Sequence, residues 1–215
     1  MRSLARSLCH NVTEHFIGAI AILKRVIPLL THANFAPSSH PLLALQRLYQ
    51  AHLVSTLNLP SSDMQYTTAS GHSFTQEQKD AQARLDEAIR ASYAVVLGLK
   101  DVLRTGHPVR ALAVAELGKL LAADEPAPTF GGESDSSLNN GLVVSGAGRL
   151  RLALETLRQA HAELLIAFGT STGGGEVGKD IREMVVMLEK EMGIWTSGIE
   201  NVVRDAIEAK KGVNS

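Results

Sequence analysis

Apolar side chains recur along this chain at helical spacing, and the same phrase of apolar and polar positions is written twice. Ser39 to Leu53 reads SHPLLALQRLYQAHL and Gly106 to Leu120 reads GHPVRALAVAELGKL, each with an apolar helical pattern ahead of it. In both, a small residue and His-Pro open the phrase, and proline suits the first turn of a helix because that N–H has no intrahelical partner. Pro41 and Pro108 therefore predict two helix starts. Setting one on the other spaces the copies about 67 residues apart, close to twice the 34-residue period of a helix-turn-helix repeat with a long turn added. In that register Ile22 matches Ile89, Val26 matches Tyr93, Leu29 and Leu30 match Val96 and Leu97, Leu42 matches Val109, and Ala44-Leu45 matches Ala111-Leu112. A third, weaker copy takes Arg149 to Phe168 as its first helix and Val177 to Met192 as its second, with Glu155 and Leu157 answering Glu87 and Ile89.

A helix pair buries its apolar face on the next pair, so about three pairs are needed for a continuous core. The pattern predicts an all-α chain of stacked antiparallel helix pairs, a tetratricopeptide-like array of about three. Heavy use of Ala and Leu favours helix over sheet. A chain of 215 residues suits one domain better than two. It is expected over 15–209, after an N-terminal extension at 1–14 and before a frayed tail at 210–215. Loops are predicted at 58–74, rich in Ser, Thr, Pro and Gly, and at 125–148, with a glycine-rich linker from Gly169 to Gly175. Thr75 and Gln78 resemble a capping box ahead of a long helix from Glu77 to Leu103. The last helix is expected to run past Trp195, with a break at Gly193 and a second piece from Ile199 to Ala209.

The chemistry is sparse. A formal charge of −1 and a pI near 6.7 give no overall field for nucleic acid or an anionic membrane. The single cysteine, Cys9, excludes an internal disulfide and a cysteine-built zinc site. Asn11-Val12-Thr13 matches a glycosylation acceptor, but nothing ahead of it resembles a signal peptide. The first thirteen residues carry two arginines, three hydroxyl or thiol side chains before His10 and no acid, the composition of a mitochondrial presequence. Phe16 to Leu30 is too short for a membrane span and is interrupted by Lys24 and Arg25. There is no phosphate loop, no Cys-x-x-Cys and no His-Glu-x-x-His, and Gly173-Gly174-Gly175 reads as a flexible linker. His40 and His107 are either a shared ligand pair or a turn hydrogen bond at each helix start, and their separation by a whole unit favours the second. His52 matches Lys119, so that position looks polar and outward. Asp86, Glu87, Glu155, Glu183 and Glu189 read as solvated carboxylates. Arg47, Arg110, Lys119 and Arg149 or Arg151 either line a concave face that pairs with an acidic peptide or are ordinary solvated cations.

GHPVRALAVAELGKLL, followed about thirty residues later by RLRLALETLRQAH, resembles the C-terminal, tetratricopeptide-like region of SET and MYND domain protein-lysine methyltransferases, especially fungal ones. There a helix pair with His-Pro, nine residues and Gly-Lys-Leu precedes a helix of the Leu-Arg-x-Ala-x-x-x-Leu-x-x-x-His type. Here those positions are His107-Pro108 with Gly118-Lys119-Leu120, then Leu152 to His161. The catalytic half of that family needs a glycine-rich cofactor turn, an Asn-His-x-Cys segment, a catalytic tyrosine and zinc-binding cysteines, which this chain lacks. Tyr49, Tyr66 and Tyr93 lie in the repeat region and cannot inherit the tyrosine's role. The resemblance thus implies a noncatalytic module without a cofactor, binding protein or peptide segments such as acidic chaperone tails or a catalytic SET half. The cytoplasm or nucleus is the expected compartment, with mitochondria second. Two other expectations stay open: a fragment of an active S-adenosylmethionine-dependent methyltransferase, and an unrelated helical adaptor.

Overall fold

The computed structural model describes residues 18–57, 76–126 and 145–193. They form helices α1 (18–32), α2 (His40–Thr56), α3 (Gln76–Val102), α4 (Pro108–Ala122), α5 (Gly146–Phe168) and α6 (175–193), with no strand among the described residues. The chain is all-α, and its helix-pair packing is consistent with a repeat array. Both His-Pro motifs open helices as predicted. Ser39 and His107 are the caps, both extended at φ −66° and −70°. His107 makes the expected turn bond, its Nδ1 accepting from Val109 N at 3.2 Å. His40 does not occupy the matching place, because the cap of α2 falls one residue earlier, on Ser39, and leaves the His40 side chain exposed.

The register places the starts of α2 and α4 and pairs α5 with α3, but Ala44 is exposed where Ala111 is fully buried, and in α1 the register slips. Leu157 and Ile89 are both fully buried, as their match requires. Ile22, however, is 63% exposed, and Leu23 at 4% takes the inward position. One residue fewer separates Leu23 from Pro41 than separates Ile89 from Pro108. A one-residue offset turns a helix by about 100°, which is enough to move the next side chain into the core.

α4 is the centre of the stack. It packs against α3 on one side and, over a larger area, against α5 on the other. Arg110, Ala111, Ala113, Val114, Ala115, Leu117, Gly118, Leu120 and Leu121 are all buried, and the solvent face narrows to a stripe of Leu112, Glu116 and Lys119. Gly118 is required there: a Cβ at that position would lie 2.6 Å from Leu157 Cδ2, so the Gly-Lys-Leu phrase records the close approach of α5. One apolar cluster runs from Leu53 of α2 through Leu85 and Ile89 of α3, Leu121 of α4 and Leu157 and Leu164 of α5 to Ile181 and Leu188 of α6. Each such buried side chain contributes about 1.5–3 kcal/mol relative to exposure.

The glycine run between α5 and α6 is a built turn rather than a flexible linker. Gly169, Gly173, Gly174 and Gly175 all have φ between 65° and 92°, a region open to glycine and costly to other residues. Gly173 N donates to Thr170 O at 3.1 Å, and Gly174 N donates to Gly169 O at 3.2 Å. The N-terminal extension, the 58–74 loop, Thr75, most of the 125–148 loop, Trp195, the Ile199–Ala209 piece and the tail lie outside the described residues. No helix among the described residues is long and apolar enough to cross a membrane.

Candidate functional site: a groove between the first three helices

Where α1, α2 and α3 meet, they enclose a cavity of about 360 Å³. α1 contributes Lys24, Ile27 and Pro28, α2 contributes Gln46 and Tyr49, and α3 contributes Glu87, Arg90, Ala91 and Ala94. The small alanines leave the space open. Pro28 sits inside α1 and has no N–H, so the Lys24 carbonyl one turn earlier lacks its helical donor. Gln46 Oε1 is likewise buried without a hydrogen-bond partner. The Gln46 oxygen is therefore left for a donor from outside.

The polar side chains in the groove are tied together from three helices. Tyr49 Oη donates to Glu87 Oε1. Lys24 Nζ lies 2.8 Å from Glu87 Oε1 and donates to Oε2 at 3.0 Å. Burial alone would push the Glu87 carboxyl up, but the bonds from Lys24 and Tyr49 and the charges of Lys24 and Arg90 hold it below its ordinary value. Burial, then the bond to Glu87 and its charge, push the Tyr49 phenol well above its usual range, so it is a neutral donor at any physiological pH. Lys24 and Glu87 cancel. Arg90 is exposed at the groove and makes no ion pair or hydrogen bond among the described residues, its charge being felt by Asp86 and Glu87 on the same helix.

The arginines and lysine singled out in the sequence do not share a face. Arg110 is in the core, not on a binding surface: its side chain is 10% exposed and that of its partner Glu163 is 3%. Nη2 donates to Glu163 Oε1 at 3.1 Å, and Nη1 donates to the Leu103 carbonyl at 3.2 Å. Glu163 also accepts from Gln159 Nε2 at 3.0 Å and from Gly106 N at 3.4 Å. Arg149 is more deeply buried, its Nε 3.3 Å from Glu125 Oε1. Burial pushes its pKa down, and the charges of Glu125, Asp86 and Asp124 oppose that. Glu125 also accepts from Gly146 N, so this pair pins the start of α5 to the end of α4. Lys119 reaches Asp180 of α6 at 4.0 Å. Arg47 on α2 and Arg151 on α5 are exposed and lie outside the groove.

Sequence reading missed Lys24, Gln46, Tyr49 and Arg90, and took Glu87 for a solvated carboxylate. The one local signal was Pro28 within an apolar helical run. Among the described residues, no group of three or more His, Cys, Asp or Glu side chains could hold a metal ion. Compared with family models, curated proteins and solved structures, the chain matches none.

Proposed function

We propose that this chain is a noncatalytic protein-binding module, related to the C-terminal helical region of SET and MYND methyltransferases, that takes an acidic peptide segment in the groove between α1, α2 and α3. Arg90 carries this reading. It lines a cavity whose Lys24 and Glu87 charges neutralise each other, and it makes no ion pair or hydrogen bond among the described residues, so it is the cation there that an incoming carboxylate can meet. The buried Gln46 oxygen offers that segment's backbone N–H an acceptor. Direct binding of the peptide and of the methyl donor tests the reading.

A synthetic peptide of alternating glutamate and leucine should bind the full chain with a Kd of about 10–100 µM, weakening as salt rises. Arg90→Glu should weaken it about tenfold, roughly 1.4 kcal/mol, and Arg151→Glu should leave it unchanged. Calorimetry with S-adenosylmethionine should give no binding heat. Stoichiometric uptake of that cofactor would favour a fragment of the enzyme instead, and peptide binding indifferent to Arg90→Glu would remove the groove from the account.

A further inference from the structure

The groove is polar at one end and apolar at the other. Tyr49 and Lys24 meet Glu87, whereas a side chain at Gly98, three turns further along α3, would meet Leu43 and the Pro37 carbonyl. α2 therefore runs antiparallel to α3, and α1 runs parallel to it. Counted from Glu87, the wall continues one turn on with Ile27, Pro28 and Ala91 and ends two turns on at Ala94, with Gln46 across from the two alanines. Beyond Lys24, Glu87 and Tyr49 the wall holds only two polar groups, the Gln46 amide and Arg90. The Gln46 oxygen has no hydrogen-bond partner.

We infer that the acidic segment, on the reading proposed above, inserts a tryptophan into this apolar end, its indole N–H donating to Gln46 Oε1 while a neighbouring carboxylate pairs with Arg90. An indole is a large apolar body with one donor and no acceptor. That is the complement of an apolar end with one unpartnered acceptor. A volume of about 360 Å³ lies at the small end of ligand pockets, enough for one large side chain. Leucine or phenylalanine would leave the oxygen unpaired, and tyrosine would bring a second oxygen whose lone pairs find no donor on Ile27, Pro28 or the alanines. Arg90 favours an aromatic ring as well, since a guanidinium is drawn to a ring face, most strongly to that of tryptophan. Gln46 is half-buried and the last torsion of a glutamine is soft, so its oxygen can turn toward the ring. Two lone pairs leave room for this donor beside a backbone N–H.

The probes are the peptide of alternating glutamate and leucine and two variants of it, titrated into the full chain. In one variant the central leucine becomes tryptophan; in the other it becomes benzothienylalanine, which has sulfur where the indole has N–H. Tryptophan should tighten binding about tenfold over leucine, and benzothienylalanine should lose about fivefold of that gain. These substitutions leave the protein untouched, so no folding defect can imitate them. In the protein, Gln46→Leu should make tryptophan and benzothienylalanine equal, and Ala94→Leu, which fills the apolar end, should make tryptophan and leucine equal. A glutamate-leucine peptide that binds through Arg90 but gains nothing from tryptophan overturns the indole and leaves the acidic-segment reading standing. Benzothienylalanine equal to tryptophan in the unaltered chain, or a difference between them that survives Gln46→Leu, has the same effect. If no peptide binds up to about 1 mM, both fall.

Discussion

Glu163→Ala should lower the stability of the chain by about 3–5 kcal/mol, the cost of leaving a guanidinium buried without its carboxylate. Arg110 and Glu163 join α4 to α5, and their side chains are only 10% and 3% exposed. The carboxylate also accepts from Gln159 and from the Gly106 backbone, so the truncation strands donors on three segments together. A buried unpaired donor costs about 1–3 kcal/mol of lost hydration. Replacing both members, Arg110→Met with Glu163→Leu, should recover most of the loss, because apolar groups of similar volume need no partners. Urea midpoints of the two variants and the unaltered chain measure this. A Glu163→Ala midpoint equal to that of the unaltered chain would mean the pair is solvated.

Gly178→Ala should be the second most damaging change. A Cβ there would sit 2.3 Å from the Gly173 carbonyl oxygen, a backbone atom that cannot swing aside as a side-chain end can. The turn or the first turn of α6 has to move, at a cost of about 1–3 kcal/mol. That shift reaches the core through Ile181, which is fully buried three residues further on. Gly174→Ala should also destabilise, since its φ of 80° disfavours any side chain. Thermal unfolding separates these from Gly193→Ala, where nothing lies within 4 Å and the change should be neutral or stabilising by up to about 1 kcal/mol. Equal midpoints for Gly178→Ala and Gly193→Ala would show the turn to be loose.

What the sequence made legible was local. The His-Pro phrases located α2 and α4 because proline's missing N–H has a single favourable place in a helix. The helical spacing of Leu85, Ala88, Ile89, Val95, Val96, Leu99, Val102 and Leu103 pointed to the buried face of α3; Leu85, Ala88, Ile89, Val95 and Leu99 are buried, while Val96 and Leu103 are half-buried and Val102 is exposed. The slip of α1 was not legible, because Ala, Ile and Leu fill neighbouring positions there and either register reads as apolar. Charge fate was not legible either. Arg110 is buried because Glu163 waits for it on another helix, and Glu87 is half-buried because Lys24 and Tyr49 converge on it from two others. Partners so far apart in sequence leave no periodic trace, so Arg110 read as a surface cation and Arg90 went unnoticed.

The central claim is that helix pairs stack so closely around α4 that α5 lies directly on Gly118. Nuclear Overhauser spectroscopy of a sample with labelled leucine methyls tests it at one contact. A cross-peak between the Leu157 methyls and the Gly118 α-protons is the predicted result. Its absence, with the Leu157 methyls reporting solvent or strand α-protons instead, would contradict the stacked array.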